Sequence, residues 1–293
     1  MSRALLGALL AAVLAALLAS CSAVRFAYNN SQALVRFEAD EYFDSDEAQA
    51  VAFRERLSRY YDWHREVELP AYAALLDWAR SRVAAGVRPG DVAWAIAALR
   101  GRYHAAIARA IEDAAPVVTT LRESQYKTLE KKLAEGNRKY EKEFLSGEPR
   151  RQHRARTKRM WQRFRDWIGD LSDEQEAHVE RFVREHARYT RLRFEDRKHW
   201  QRDAVALMKR YRKPEDLAPR LAAVFTHPET RRSAQYLREA ARWEADLADL
   251  IADIDRTLTP EQRRRLLRRI DNYAEDFRAL SGSPGATRAA AVN

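Results

Sequence analysis

Apolar residues recur at spacings of three and four along almost the whole chain, the pattern of amphipathic helices rather than of strands. An acidic start at Asp46 leads into Val51, Leu57, Tyr61, His64 and Val67, roughly one helical face, which Pro70 is expected to interrupt. Pro70 then leads a helix through Tyr72, Leu75, Leu76 and Ala79 to Val83. Pro89-Gly90-Asp91 reads as a turn and N-cap ahead of Val92, Ile96, Leu99, Tyr103 and Ile107. Pro116 is expected to open the next helix, with Val117, Leu121, Leu129, Leu133, Tyr140 and Phe144 on one face, until Gly147-Glu148-Pro149 breaks the chain. A basic helix follows, carrying Met160, Phe164, Trp167 and Leu171. Ser172 opens a long helix expected to reach Tyr211, just before Lys213-Pro214. Pro228 is expected to begin another, with Tyr236, Ala240, Trp243, Leu247, Leu250 and Ile254, and the last runs from Thr259 through Leu266, Ile270, Tyr273, Phe277 and Leu280. No segment alternates as a strand. The fold class expected is all-α, a multi-helix bundle without a sheet. Residues 21–280 would form its body, as one bundle or as two lobes hinged near 147–149, and residues 281–293, with no core-forming pattern, a disordered tail.

The first twenty residues follow a different pattern. Met1-Ser2-Arg3 supplies one positive charge, and residues 4–19 are an unbroken run of Ala, Leu, Val and Gly. A positive head, an apolar stretch and small residues at its end describe an export signal. The run is marginal for crossing a bilayer, which takes roughly 20 apolar residues. Leu18-Ala19-Ser20-Cys21 ends it and resembles the lipobox of bacterial lipoprotein precursors. That resemblance implies cleavage before Cys21, a diacylglycerol on its sulfur and an acylated amine, with acyl chains such as palmitate. An ordinary signal peptide or a signal anchor with an incidental cysteine is the alternative. In such lipoproteins an Asp just after the cysteine holds the protein at the inner membrane. Ser22 and Ala23 stand there instead, which implies the outer membrane, facing the periplasm. Cys21 is the only cysteine, so no disulfide forms within one chain and packing alone must hold the fold.

Composition adds little to the fold but bounds the class. Hydrophobic residues at 46% and charged residues at 33% suit a folded protein rather than a disordered one. Nine Gly and nine Pro are few for a sheet architecture. Removing the signal takes away only Arg3 among the charges, so the net charge falls from +10 to +9.

Leu171-Ser172-Asp173-Glu174-Gln175 and Leu258-Thr259-Pro260-Glu261-Gln262 share the form Leu-Ser/Thr-x-Glu-Gln, and Leu121 to Gln125 is a degraded echo that lacks the hydroxyl. The hydroxyls of Ser172 and Thr259 can cap a helix, Gln175 and Gln262 can close a capping box, and the leading Leu can act as a staple. A well-made helix start explains both copies. They also resemble the motif of periplasmic chaperones of the Spy and CpxP type, which are helical, lipid-free and work as cradle-shaped dimers.

A broader resemblance rests on Cys21-Ser22-Ala23-Val24-Arg25-Phe26-Ala27-Tyr28-Asn29-Asn30, Trp63-His64-Arg65, Leu69-Pro70-Ala71-Tyr72, and Asn137-Arg138-Lys139-Tyr140 followed by Glu143-Phe144. These segments resemble a family of proteobacterial lipoproteins with a domain of unknown function. The resemblance implies a helical, membrane-anchored periplasmic protein and brings no activity or catalytic residue with it. On structural grounds Trp63, His64, Arg65, Pro70 and Tyr72 form a motif expected to fix a helix–helix corner.

No Gly-rich phosphate loop, nucleophile elbow, His-Glu-x-x-His or paired-cysteine site is found, so no cofactor and no catalytic residue is assigned. Glu174 with His178, Glu195 with His199 and Asp196 with His199 stand three or four apart, but such spacings are routine on charged helices, and no metal is assigned. His186, between Phe182 and Tyr189, reads as a hydrogen-bonded core or boundary residue.

Charge is unevenly spread. Residues 38–47 hold six acids and no base, close to the anchor. Residues 150–165 hold eight bases and no acid: Arg150, Arg151, Arg154, Arg156, Lys158, Arg159, Arg163 and Arg165, and Trp161, Phe164 and Trp167 interleave with them. The plain reading is a solvated face whose arginines pair with acids on neighbouring helices while the aromatics enter the core. Bases and aromatics together could serve nucleic acid, but the export signal argues against it, and no nucleic-acid partner is assigned. The remaining anions are envelope polypeptides, anionic lipid and peptidoglycan. The function expected is therefore a non-enzymatic, lipid-anchored envelope protein that binds or scaffolds such components, in a chaperone-like way or otherwise. The alternative is a hydrolase of envelope polymers with an acid pair that no motif reveals.

Overall fold

A computed structural model describes residues 23–282; the signal segment, Cys21 and the tail from residue 283 lie outside the described residues. The chain is all-α, and among the described residues eleven α-helices and no strand are found. In order they are α1 (Ala23–Phe43), α2 (Glu47–Trp63), a π-helical turn (His64–Glu68), α3 (Leu69–Ala85), α4 (Pro89–Val118), α5 (Glu123–Phe144), α6 (Pro149–Ile168), α7 (Asp173–Glu185), α8 (Tyr189–Arg210), α9 (Pro214–Thr226), α10 (Ala234–Arg256) and α11 (Pro260–Ser281). Among the described residues no helix is long and apolar enough to cross a membrane.

Several boundaries differ from those the sequence predicts, mostly at prolines. Pro70 interrupts nothing. Helix continues from Glu47 to Ala85 because the turn at His64–Glu68 widens, with the Leu69 N–H donating to the His64 carbonyl. A wider turn relieves the clash between a proline ring and the carbonyl four residues earlier. The expected corner at Trp63, His64, Arg65 and Pro70 is thus a π-turn inside continuous helix. Pro116 lies in the last turn of α4, and α5 opens later, at Glu123. α4 starts at Pro89, with Asp91 in its first turn accepting from the Arg88 N–H (3.0 Å). The stretch from Ser172 to Tyr211 is two helices, broken at residues 186–188 without Gly or Pro to mark it. Pro228 starts only a 3-10 turn, while α10 is capped by Ser233, whose hydroxyl accepts from the Tyr236 N–H. α9, unexpected between Pro214 and Thr226, begins with a proline at a position where its missing N–H costs nothing.

Two apolar cores result among the described residues. One joins Leu121, Tyr126 and Leu129 to Ala204, Val205 and Met208 of α8 and to Leu217 and Leu221 of α9. The other joins Ile168 of α6 to Val179, Phe182 and Val183 of α7 and to Leu250 and Ile254 of α10. α4, 30 residues long and therefore about 45 Å, packs against α9 and α10 and so touches elements of both. The connection through Gly147, whose φ of +91° suits glycine, leads from α5 to α6. α3 and α11 lie antiparallel, with Arg80 paired to Asp271 (2.6 Å) and Arg278 to Asp77.

Four helix starts are clasped in pairs. Ser172 and Gln175 form a reciprocal capping box, and so do Thr259 and Gln262. The two buried glutamines then exchange amide hydrogen bonds, Gln175 Nε2 to Gln262 Oε1 (3.1 Å) and Gln262 Nε2 to Gln175 Oε1 (3.0 Å). Each also donates to the connection that leads into the other's helix, Gln175 to the Thr257 carbonyl and Gln262 to that of Asp170. The same arrangement recurs at the starts of α2 and α5, where Gln49 and Gln125 pair in both directions and donate to the carbonyls of Thr120 and Asp44. Asp46 and Arg122 occupy the cap positions there and are themselves ion-paired. Residues 76 and 87 positions apart are thereby fixed end to end.

Candidate functional site

The helix with the least explained chemistry is α6. It starts after Gly147 with Pro149 in the first turn and ends at Gly169, whose φ is +87°. Met160, Trp161 and Phe164 face the second core, and the Trp161 indole donates to the Glu176 carbonyl (3.2 Å). Arg150, Arg151, Arg154, Lys158 and Arg163 are exposed, while Arg156, Arg159 and Arg165 are half-buried.

The expected pairing with neighbouring acids is largely missing. Among the described residues only Arg165 of the eight has a carboxylate within ion-pair distance, Glu176 at 2.6 Å. Arg159 lies over the Phe144 ring (4.7 Å), and burial together with the Arg159 charge lowers the pKa of Arg156 with no acid to offset it. The aromatics do enter the core, except that Trp167 is 36% exposed and packs on Tyr273, with Arg269 over its ring. α6 also has no acid in its first turn. Bases clustered at a helix N-terminus oppose the macrodipole, so helix stability does not account for them. Uncompensated charge of one sign on one element attracts counter-charge from solution.

The inner side of α6 walls a cavity of about 530 Å³ bounded also by α3, α4, α10 and α11. Its lining is almost wholly apolar, with Trp78, Phe164, Trp243 and Leu266 among the contributors, and Arg82 and Arg163 both reach it. A second cavity, about 550 Å³, lies between α5 and α8 and is lined by Glu130, Asn137, Lys198, Gln201, Arg202 and Lys209 among others.

The residues of the π-turn bind the first and last helices together. Tyr28 of α1 is hydrogen-bonded to His64 Nδ1 (2.9 Å), and Arg65 donates to Asn29 Oδ1 and to the Leu280 carbonyl, both at 2.9 Å. Tyr72 packs between His64 and Phe277, and Arg109 lies over Trp63. Glu68 is fully buried; among the described residues neither of its carboxylate oxygens has a hydrogen-bond partner, and Arg102 stands 3.6 Å away. Burial, helped by Arg65, lowers the His64 pKa from 6.5 to about 4, and burial raises that of Tyr72 to about 12. At His64 the folded protein binds fewer protons than the unfolded chain. Its contribution to stability is therefore complete above pH 6.5 and lost as the pH falls toward 4. His186 and His104, lowered by burial as well, act in the same direction. The urea midpoint should drop between pH 7 and pH 4.5, and drop less in His64→Gln; identical slopes for the two proteins would exclude this account.

His186 is buried at the end of α7, its Nε2 3.0 Å from Asp246 and its ring against Phe182. His178 lies near Glu174 and Asp253, and His199 near Asp203. No three His, Cys, Asp or Glu side chains converge as metal ligands among the described residues. Gln49 was not legible as a paired residue; Asp46-x-x-Gln49 is the local signal that could have found it. Cys21 lies outside the described residues.

Residues 41–238 match the model of a family of unknown function, DUF6279, over more than half of the chain, and the protein belongs to that family. No curated protein and no solved structure matches it.

Proposed function

We propose that this member of the family is a lipid-anchored protein of the bacterial cell envelope, held at the outer membrane through Cys21, that binds anionic lipid head groups through α6 without catalysing a reaction. The observation that carries the reading is the set of exposed bases Arg150, Arg151, Arg154, Lys158 and Arg163 on one helix, none with an ion-pair partner among the described residues. Each basic side chain held near an anionic membrane surface contributes about 1 kcal/mol. Several acyl chains on Cys21, at about 0.8 kcal/mol per buried methylene, would keep α6 within reach of that surface. α1 begins two residues after Cys21, has no buried residue, and exposes Phe26, Leu34 and Phe37, as a helix resting on lipid would.

A hydrolase would need an acid pair open to a polymer. Glu68, the most deeply enclosed carboxylate, lines neither cavity described above, and the two that reach the apolar one, Asp91 and Asp255, are held by Arg88 and by Arg263 (3.0 Å). That favours binding over catalysis.

The test uses a soluble form beginning at Ser22 and vesicles of phosphatidylglycerol or phosphatidylcholine. Co-sedimentation with the anionic vesicles alone, weakening as salt rises, is the expected result. Equal binding to both, or to neither, overturns the reading; suppression of client aggregation without vesicle binding would replace it by a chaperone-like one. For the anchor, Cys21→Ala should leave an uncleaved or mislocalised precursor, and normal processing of that variant would remove lipidation from the proposal.

A further inference from the structure

We propose that the cavity bounded by α3, α4, α6, α10 and α11 holds the hydrocarbon chain of a long-chain fatty carboxylate, with Arg82 and Arg163 receiving its head group. The proposal rests on the reading of α6 as an anion-binding helix and narrows it to one ligand chemistry. At about 530 Å³ the cavity falls within the roughly 300–1,000 Å³ typical of small-molecule sites, which are mostly apolar with a few placed polar groups. Trp78, Leu99, Phe164, Trp243, Leu247 and Leu266 supply apolar walls from five helices. Leu99 is 51% exposed, so apolar surface continues from the lining to water.

The polar side chains that reach the lining decide the head group. Asp255 already accepts from the Val87 N–H (2.9 Å) and from Arg263 (3.0 Å). Asp91 accepts from the Arg88 N–H and guanidinium, and Arg82 adds only a lesser attraction. The two arginines are different. Arg82 has a buried Nε without a hydrogen-bond partner among the described residues and rests over the Trp78 ring at 5.6 Å. Arg163 is exposed, and no carboxylate among the described residues lies within ion-pair distance of it. Among the described residues the lining thus offers two guanidiniums with no ion-pair partner, while both of its carboxylates are hydrogen-bonded. A planar carboxylate matches the guanidinium fork in charge and geometry, and a hydrocarbon chain matches the walls. Rival occupants are residues 4–19 of the same chain, which are apolar, and a second copy.

Photo-crosslinking of the full chain in its native envelope tests this, using palmitate with a terminal diazirine and mapping adducts by mass spectrometry. Adducts on cavity residues such as Trp78, Phe164 and Leu247, competed by unlabelled palmitate, are expected. Ala95→Trp, which fills the void from α4, should abolish them. Arg82→Gln with Arg163→Gln should cut capture about tenfold or more, as loss of a charge-assisted hydrogen bond does, and the second variant guards against misfolding of the first. Adducts confined to residues 1–22, to the exposed α1 residues or to crosslinked dimers overturn the proposal, as does equal capture of the corresponding neutral alcohol. Ala95→Trp keeps every base of α6. Vesicle binding that survives in a variant that no longer captures palmitate is expected. Vesicle binding without palmitate capture in the wild type defeats the cavity proposal alone, and capture without vesicle binding defeats the head-group reading alone.

Discussion

Replacing Arg151, Arg154, Lys158 and Arg163 together by Ser should weaken association with phosphatidylglycerol vesicles by roughly a thousandfold at low salt, since each contributes about 1 kcal/mol at an anionic surface. All four are exposed and none has a carboxylate within ion-pair distance among the described residues. Their removal therefore breaks no ion pair within the fold, and the thermal midpoint should stay within a few degrees of wild type. In 1 M salt, where the Debye length is about 3 Å, the two proteins should bind alike. The half-buried bases make poorer probes. Arg159 covers Phe144, and the Arg156 Nε is buried without a partner, so truncating either would mix lost packing with lost charge. If the fourfold variant still binds at low salt as the wild type does, α6 is not the binding surface.

The second large effect is on stability. Gln175→Ala is expected to cost about 2–4 kcal/mol, read as a lower urea midpoint with unchanged slope, because buried groups left unpaired cost about 1–3 kcal/mol each and water entering the vacancy offsets part of that. Gln175 is fully buried and serves the Ser172 N–H, the Thr257 carbonyl and both ends of the Gln262 amide. Gln175→Glu should be at least as harmful at pH 7. It would set a carboxylate oxygen against the Thr257 carbonyl and Gln262 Oε1, where an amide had donated. Protonation restores one donor, so the Glu variant should regain ground on the wild type as the pH is lowered. A loss under 1 kcal/mol in the Ala variant would show the clasp to be incidental.

These glutamines also mark what a sequence can and cannot disclose. The boxes at Ser172 and Thr259 were legible because every partner lies within three residues. The exchange between Gln175 and Gln262 was not, since nothing local records a partner 87 positions away. Prolines misled for a related reason. Pro70 and Pro116 both sit in helix, one behind a widened turn and the other in the last turn of α4, where packing outweighs a lost hydrogen bond. The break at residues 186–188 carries no Gly or Pro, and the apolar spacing runs straight through it. At the candidate site the eight bases were countable in advance. Their lack of partners depends on which helices lie beside α6. The cavity draws Trp78, Leu99, Phe164 and Leu247 from four separate helices, so only the fold assembles it.

The grip of Arg65 on Asn29 and the Leu280 carbonyl, with Arg25 on Asp276 (2.8 Å), bears on the order in which the molecule can be completed. A chain delivered N-terminus first, from a ribosome or through a translocation pore, presents α1 long before α11 exists. The Arg25–Asp276 contact spans 251 positions, and until the last helix emerges the start of α1 lacks this side of its seat. On the proposed lipid anchor, its exposed Phe26, Leu34 and Phe37 would meet the membrane during that interval. If the anchor holds as proposed, synthesis would place the first helix on the membrane before folding closes the body behind it.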